Sequence, residues 1–228
     1  MSDAIQRVEE RIQQACQRSG RNRDEVTLVA VSKTFPAEYI ARAYANGLRI
    51  FGESRAQEFK GKVIGLPDDI EWHFIGHLQR NKIKYVLPHA HLIHSIDSLT
   101  LAEAASEYTL KHALPAVSVL MEVNTSGEKA RYGFSSQEAA DAFLKMNEMQ
   151  GLVLKGFMTI APFVSDEKKI RASFERLRQI KEDVSRFAAP ENTAELSMGM
   201  SADFETAIEE GSTIVRVGTA IFGSREVQ

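Results

Sequence analysis

The 228 residues include a single cysteine, Cys16, so no disulfide can form within the chain and no covalent framework holds it. That usage suits a reducing, cytoplasmic setting. No apolar run approaches the ~18–20 residues that a membrane-spanning helix needs. The first ten residues carry Asp3, Glu9 and Glu10 and lack the apolar heart of an export signal, so neither export nor a membrane partner is expected. An excess of one charge is also missing: 28 Lys and Arg stand against 31 Asp and Glu, a formal net charge of −3. Without a general basic field, nucleic acid is not an expected partner. Pro/Gly/Ser-rich linkers, low-complexity tracts and internal repeats are absent too, and residues 1–228 are expected to form one domain.

What is present is an ordinary globular composition, 43% hydrophobic and 26% charged, sufficient for a sizeable core. Ile5, Val8, Ile12 and Cys16 recur at helical spacing and predict an amphipathic helix between Ala4 and Arg18. Val26 to Ser32 is β-branched and almost wholly apolar, as in a strand covered on both faces of a parallel sheet. Further strands are predicted at Leu48–Phe51, Trp72–Ile75, Leu92–Ser95, Ala116–Val123, Leu152–Thr159, Ala194–Ser197 and Thr213–Val217, which makes eight with the first. Helical patterns separate most of them; the clearest passes through Ile170, Phe174, Leu177, Ile180, Val184 and Phe187. Eight strands alternating with helices predict a single (β/α)8 TIM barrel of the α/β class with an extra N-terminal helix, an open doubly wound sheet being the alternative.

Two features carry chemistry. Lys33 ends the most apolar early strand, where a barrel aims it at the active face. Partial desolvation there favours a neutral amine able to attack an aldehyde; the plainer reading is a solvent-seeking lysine or one paired with an acid such as Glu53. The second feature is Leu196-Ser197-Met198-Gly199-Met200-Ser201, before a helical pattern from Ala202 to Glu210 that Ser201 could cap, followed by Arg216-Val217-Gly218-Thr219 after the last strand. Barrels commonly bind phosphate in the loops after strands seven and eight, using glycine, hydroxyls and backbone N–H groups. The histidines His73, His77, His89, His91 and His94 lack the helical HExxH presentation of a metal site and read as structural. Gln79 to Lys84, beside Tyr85, reads as a solvated basic face.

These residues, with Val29-Ala30-Val31-Ser32-Lys33-Thr34, Phe51-Gly52-Glu53, His73-Phe74-Ile75-Gly76-His77-Leu78-Gln79-Arg80-Asn81-Lys82, Gly156-Phe157-Met158-Thr159 and the run from Leu196 to Gly223, make a chain that resembles the pyridoxal phosphate homeostasis proteins, the YggS or proline synthase co-transcribed family. That family is similar to the barrel domain of alanine racemase, fold type III of pyridoxal phosphate proteins, and lacks the racemase's extra β domain.

The resemblance implies pyridoxal 5'-phosphate as cofactor, held as an imine on Lys33. It places the cofactor phosphate near Ser197, Met198, Ser201, Gly218 and Thr219, and Arg216 near the pyridine nitrogen. A guanidinium there disfavours ring protonation and weakens the ring as an electron sink. The function implied is vitamin B6 and amino/keto acid homeostasis without robust turnover, by a monomer that hands cofactor to apo-enzymes; a small amino-acid racemase is the alternative. Ser54 and Arg55 stand where the family often has asparagine and then tyrosine or arginine, and Arg131 replaces a commonly seen lysine. Arginine cannot form the stable imine that lysine can.

Overall fold

The computed structural model describes residues 1–128 and 130–223. The chain opens with helix α1 (Ser2–Arg18), whose buried side chains Ile5, Val8, Ile12, Ala15 and Cys16 form the stripe expected from their spacing. Strand β1 (Thr27–Val31) is followed by α2 (Ala37–Ala45), β2 (Ile50–Glu53), α3 (Ala56–Val63), β3 (Glu71–Phe74), α4 (Ile83–Val86), β4 (Leu92–Ile96) and α5 (Leu99–Lys111). The second half runs β5 (Val117–Asn124), β6 (Phe134–Ser135), α6 (Ala139–Asn147), β7 (Leu152–Met158), α7 (Glu167–Val184), β8 (Glu195–Met200), α8 (Phe204–Glu209), β9 (Ile214–Val217) and α9 (Thr219–Phe222).

Among the described residues all strand pairings are parallel, and β1 pairs with β9 while β4 pairs with β5, so eight strands close into a barrel. All eight strands expected from the sequence are present, with ends that coincide or shift by up to three residues. The two-residue β6 pairs with β5 outside the ring and is too short to leave a pattern. The larger core lies between barrel and helices, while a smaller cluster of Val29, Leu92, Leu120, Met158 and Ile214 fills part of the barrel interior. Helix α1 packs on α8 and α9. Its ion pairs Arg11–Glu205 and Arg18–Glu209 are partly exposed and contribute little beside the apolar stripe.

Two expectations need correction. Phe187 does not continue the α7 stripe: the helix ends at Val184, the Ser185 hydroxyl turns back onto the Lys181 carbonyl, and Phe187 is 52% exposed. Ser201 does not cap α8, which starts at Phe204 after Asp203. The Asp203 carboxylate instead accepts from the Met200 N–H, and this leaves the Ser201 hydroxyl to accept from the Gly218 N–H.

Strand β7 carries a bulge. Its register against β5 runs Val119 to Leu154 and then Leu120 to Gly156, so Lys155 is the extra residue. Before it, Leu152 and Leu154 join the outer core; after it, Met158 belongs to the inner cluster. Lys155, next in alternation after the outward Leu154, faces the barrel interior, and the bulge keeps Gly156 on that side too before Phe157 turns out and Met158 in. Gly156 has φ of +147°, and a Cβ there would lie 2.0 Å from the Glu195 carbonyl oxygen. Gly156→Ala should therefore destabilise the fold by roughly 2–4 kcal/mol through strain and overpacking, measured by urea unfolding. A loss below the usual scatter of surface substitutions would show that β7 and β8 separate easily.

Candidate functional site

The C-terminal ends of the strands gather the residues singled out by sequence. The Ser32 N–H continues the ladder to the Gly52 carbonyl, and the chain then turns sharply, with the Phe35 N–H donating to the Ser32 carbonyl. Lys33 occupies this turn, half-buried, and Thr34 adopts φ of +70° while its N–H donates to a Glu58 carboxylate oxygen at 3.1 Å. A threonine held at positive φ is costly and persists only where neighbours impose it. Glu53 is an acid that the sequence suggests as a partner for Lys33. Here Glu53 Oε1 accepts from the Ser32 hydroxyl at 2.7 Å and from Lys62 Nζ at 2.6 Å, and Lys62 also donates to the Ser32 carbonyl. Burial pushes the Glu53 carboxyl up, and the Lys62 and Ser32 hydrogen bonds oppose that push. Lys62 thereby anchors the turn that presents Lys33; its place on α3, nine residues after Glu53, gave no signal in the sequence.

Strand order brings the two phosphate-loop candidates beside this turn. Neighbours around the barrel run β8, β9, β1, and a Cβ on Gly218 would stand 3.1 Å from the Val31 carbonyl oxygen. Ser201 spans the gap between the loops through its bond from the Gly218 N–H, and Thr219 opens α9 with an exposed side chain. Ser197 and Met198 lie deeper, both fully buried in β8.

Ser197 joins a chain of polar groups through the barrel interior. Arg216, 5% exposed, donates to the Ser197 hydroxyl and, at 2.9 Å, to the Thr159 carbonyl. His94 Nδ1 lies 2.8 Å from Ser197 Oγ, and His94 Nε2 lies 2.9 Å from His73 Nδ1. Burial pushes the His73 imidazole down to about 3 and His94 well below its ordinary range, so both rings are neutral. Burial also lowers the Arg216 guanidinium to about 10, with Glu122 and Asp203 opposing it, and it stays charged at neutral pH. Glu122 is pushed up to about 7 by burial and by Asp97, against the pull of Arg216 and Arg131. It lines a recess of about 190 Å³ together with Arg131, Tyr132 and Ile160. His77 contacts Asp97 at 2.9 Å and stacks on Tyr132, so it stands apart from His73. Among the described residues no cluster of His, Cys, Asp and Glu fits a metal ion, and no helix is long and apolar enough to cross a membrane.

The family model for the alanine racemase N-terminal domain matches residues 4–226. A pyridoxal phosphate homeostasis protein of Aquifex aeolicus is 42% identical over 228 residues, covering 98% of each chain. The human protein of that name is 37% identical over 236 residues, covering 98% of this chain and 86% of that one. Among solved structures, a protein of unknown function from Bifidobacterium adolescentis superposes with a TM-score of 0.92 at 40% identity, covering 96% of this chain and 93% of that chain. PipY of Synechococcus elongatus, solved with PLP bound, superposes at 0.81 with 34% identity, covering 95% of this chain and all of that one. The same protein without PLP superposes at 0.84, covering 94% of this chain and 99% of that one. The chain belongs to the pyridoxal phosphate homeostasis protein family.

The Glu122 shift has a consequence for stability. A carboxyl raised from 4.5 to about 7 in the folded state binds its proton more tightly there than in the unfolded chain. Its contribution is therefore present at low pH and is lost as pH rises through about 7. Glu122→Gln should remove a decline of roughly 1–3 kcal/mol between pH 5 and pH 8, read from urea unfolding at the two pH values. Equal pH dependence in variant and parent would show that Glu122 titrates normally.

Proposed function

We propose that this chain, as a member of that family, carries pyridoxal 5'-phosphate in vitamin B6 and amino/keto acid homeostasis, with Lys33 as the covalent anchor. One observation carries the reading: the order β8, β9, β1 sets the Ser201 and Gly218–Thr219 loops directly beside the Lys33 turn. The donor set fits the group. An amine faces the same end of the barrel as backbone N–H groups and hydroxyls suited to a phosphate, and a fixed guanidinium lies beneath them. When bound, the cofactor supplies an aldehyde that condenses reversibly with amines and a ring that draws electrons toward its nitrogen.

The chain's own residues favour holding over turnover. Lys33 provides the nucleophilic amine; Ser201, Gly218 and Thr219 hold the phosphate; Ser197 and Met198 shape the strand beneath that loop. Arg216, aimed by Ser197 and Thr159, is a donor that stays charged. Placed at the ring nitrogen it keeps that nitrogen unprotonated, which weakens the stabilisation of negative charge that racemisation or decarboxylation demands. Release to an amine, and from there to an apo-enzyme, needs only an incoming amine to displace Lys33. A monomer in the cytoplasm suffices for that role.

Incubation with pyridoxal phosphate should give an absorbance band near ~420 nm, and borohydride should leave a reduced adduct mapping to Lys33 and absent from Lys33→Ala. An adduct on another lysine, or none, overturns the assignment. Ser201→Ala should lower affinity for pyridoxal phosphate roughly tenfold, about 1.4 kcal/mol, while changing affinity for phosphate-free pyridoxal little. Equal losses for both would place the phosphate elsewhere.

A further inference from the structure

The opposite end of the barrel holds a second recess, of about 370 Å³, at the N-terminal starts of the strands. Among the described residues its ionisable lining is Glu71, His73, His91, Lys155, Glu191 and Glu195. We propose that this mouth is a binding site for a small zwitterion, its carboxylate on His73 Nε2–H and Lys155 and its ammonium on the surrounding glutamates.

Arg216 sets the direction of the hydrogen bonds that lead to this recess. A guanidinium only donates, so Ser197 Oγ accepts from it and has one proton of its own to place. The neighbouring His94 Nδ1, 2.8 Å away, takes that proton as an acceptor. His94 Nε2 then carries the hydrogen and donates to His73 Nδ1, so the neutral His73 ring carries its proton on Nε2. The reverse direction strands two groups, the Ser197 hydroxyl proton and the His73 Nε2 lone pair, in place of one. Each stranded buried polar group costs roughly 1–3 kcal/mol, and the first arrangement prevails.

That arrangement ends on a donor without a partner. His73 is 3% exposed, and its Nε2 has no hydrogen-bond partner among the described residues. Its other nitrogen faces His94 on the barrel axis, so Nε2, on the far edge of the ring, faces the recess that His73 lines. An acceptor on a ligand would satisfy it. Lys155 supplies a positive charge to the same recess: it alternates with the outward Leu152 and Leu154 and so faces inward, and among the described residues it forms no ion pair. Glu195 at the start of β8, with Glu71 and Glu191 at the rim, supplies the opposite sign. A dianion such as phosphate meets three carboxylates here, and a simple amine meets Lys155. A molecule with both charges matches both sets.

The test uses the cofactor-free full-length chain with ¹⁵N-labelled histidine rings, titrated with glycine, acetate and methylamine. Glycine should shift the His73 Nε2 resonance saturably and leave His77, on the opposite face, unmoved. Its affinity should exceed that of acetate or methylamine at least tenfold. Lys155→Met should weaken glycine binding about tenfold, ~1.4 kcal/mol, without altering the thermal midpoint. A His73 resonance that stays fixed across the glycine titration overturns the site, and this arm needs no variant. Acetate binding as tightly as glycine, or an undiminished response in a folded Lys155→Met, overturns the zwitterion.

Discussion

Arg216 has to keep its charge with 5% of its surface exposed, and much of the barrel interior is arranged around that requirement. Burying a cation is costly unless hydrogen bonds and opposite charge replace its hydration. Here the Ser197 hydroxyl and the Thr159 carbonyl accept from the guanidinium, and Glu122 and Asp203 lie close enough to oppose the downward push of burial. Because arginine cannot accept, the Ser197 proton is directed to His94, and the order passes on to His73 at the other end of the barrel. Charge at one face thus dictates a tautomer at the other. The same field leaves Glu122 poised near neutrality, since Asp97 and burial together outweigh the attraction of Arg216 and Arg131.

The active face depends on a different device. Lys33 is presented by a turn that is strained at Thr34 and pinned by Ser32, Glu53 and Lys62. Burial pushes the Glu53 carboxyl up and Lys62 opposes that push, and by donating to the Ser32 carbonyl as well Lys62 holds the turn from below. The adjacency of β1 and β9 then supplies the rest, because loops after neighbouring strands must lie side by side. Nothing about Lys33, Ser201 or Gly218 needs to be exceptional in itself; closure of the barrel gives them their relation.

Much of this was legible in the sequence. Strands covered on both faces read as continuous apolar runs, so all eight appear in Val26–Ser32 and its counterparts, and positions at strand ends follow once a barrel is inferred. Local features that depend on a hydrogen bond across the fold were not legible. Ser201 has the composition of a helix cap, yet its hydroxyl is claimed by the Gly218 N–H seventeen residues away. Phe187 continues the helical spacing, but the helix stops where Ser185 folds back. The link from His73 through His94 to Ser197 needs β3, β4 and β8 assembled around one axis, and no spacing announces it. The bulge beside Lys155 and Gly156 has no mark in the spacing of β7, because it is defined by the register against β5.

The proposed carrier role requires that the buried guanidinium meet the ring nitrogen of the cofactor. The direct measurement is the ¹⁵N resonance of pyridoxal phosphate labelled at that nitrogen and bound to the protein, recorded between pH 6 and 8. An unprotonated nitrogen that keeps one chemical shift across the range, and changes in Arg216→Lys, is the predicted result. A protonated pyridinium, or a resonance indifferent to Arg216→Lys, would contradict it and remove the physical reason for reading this barrel as a carrier.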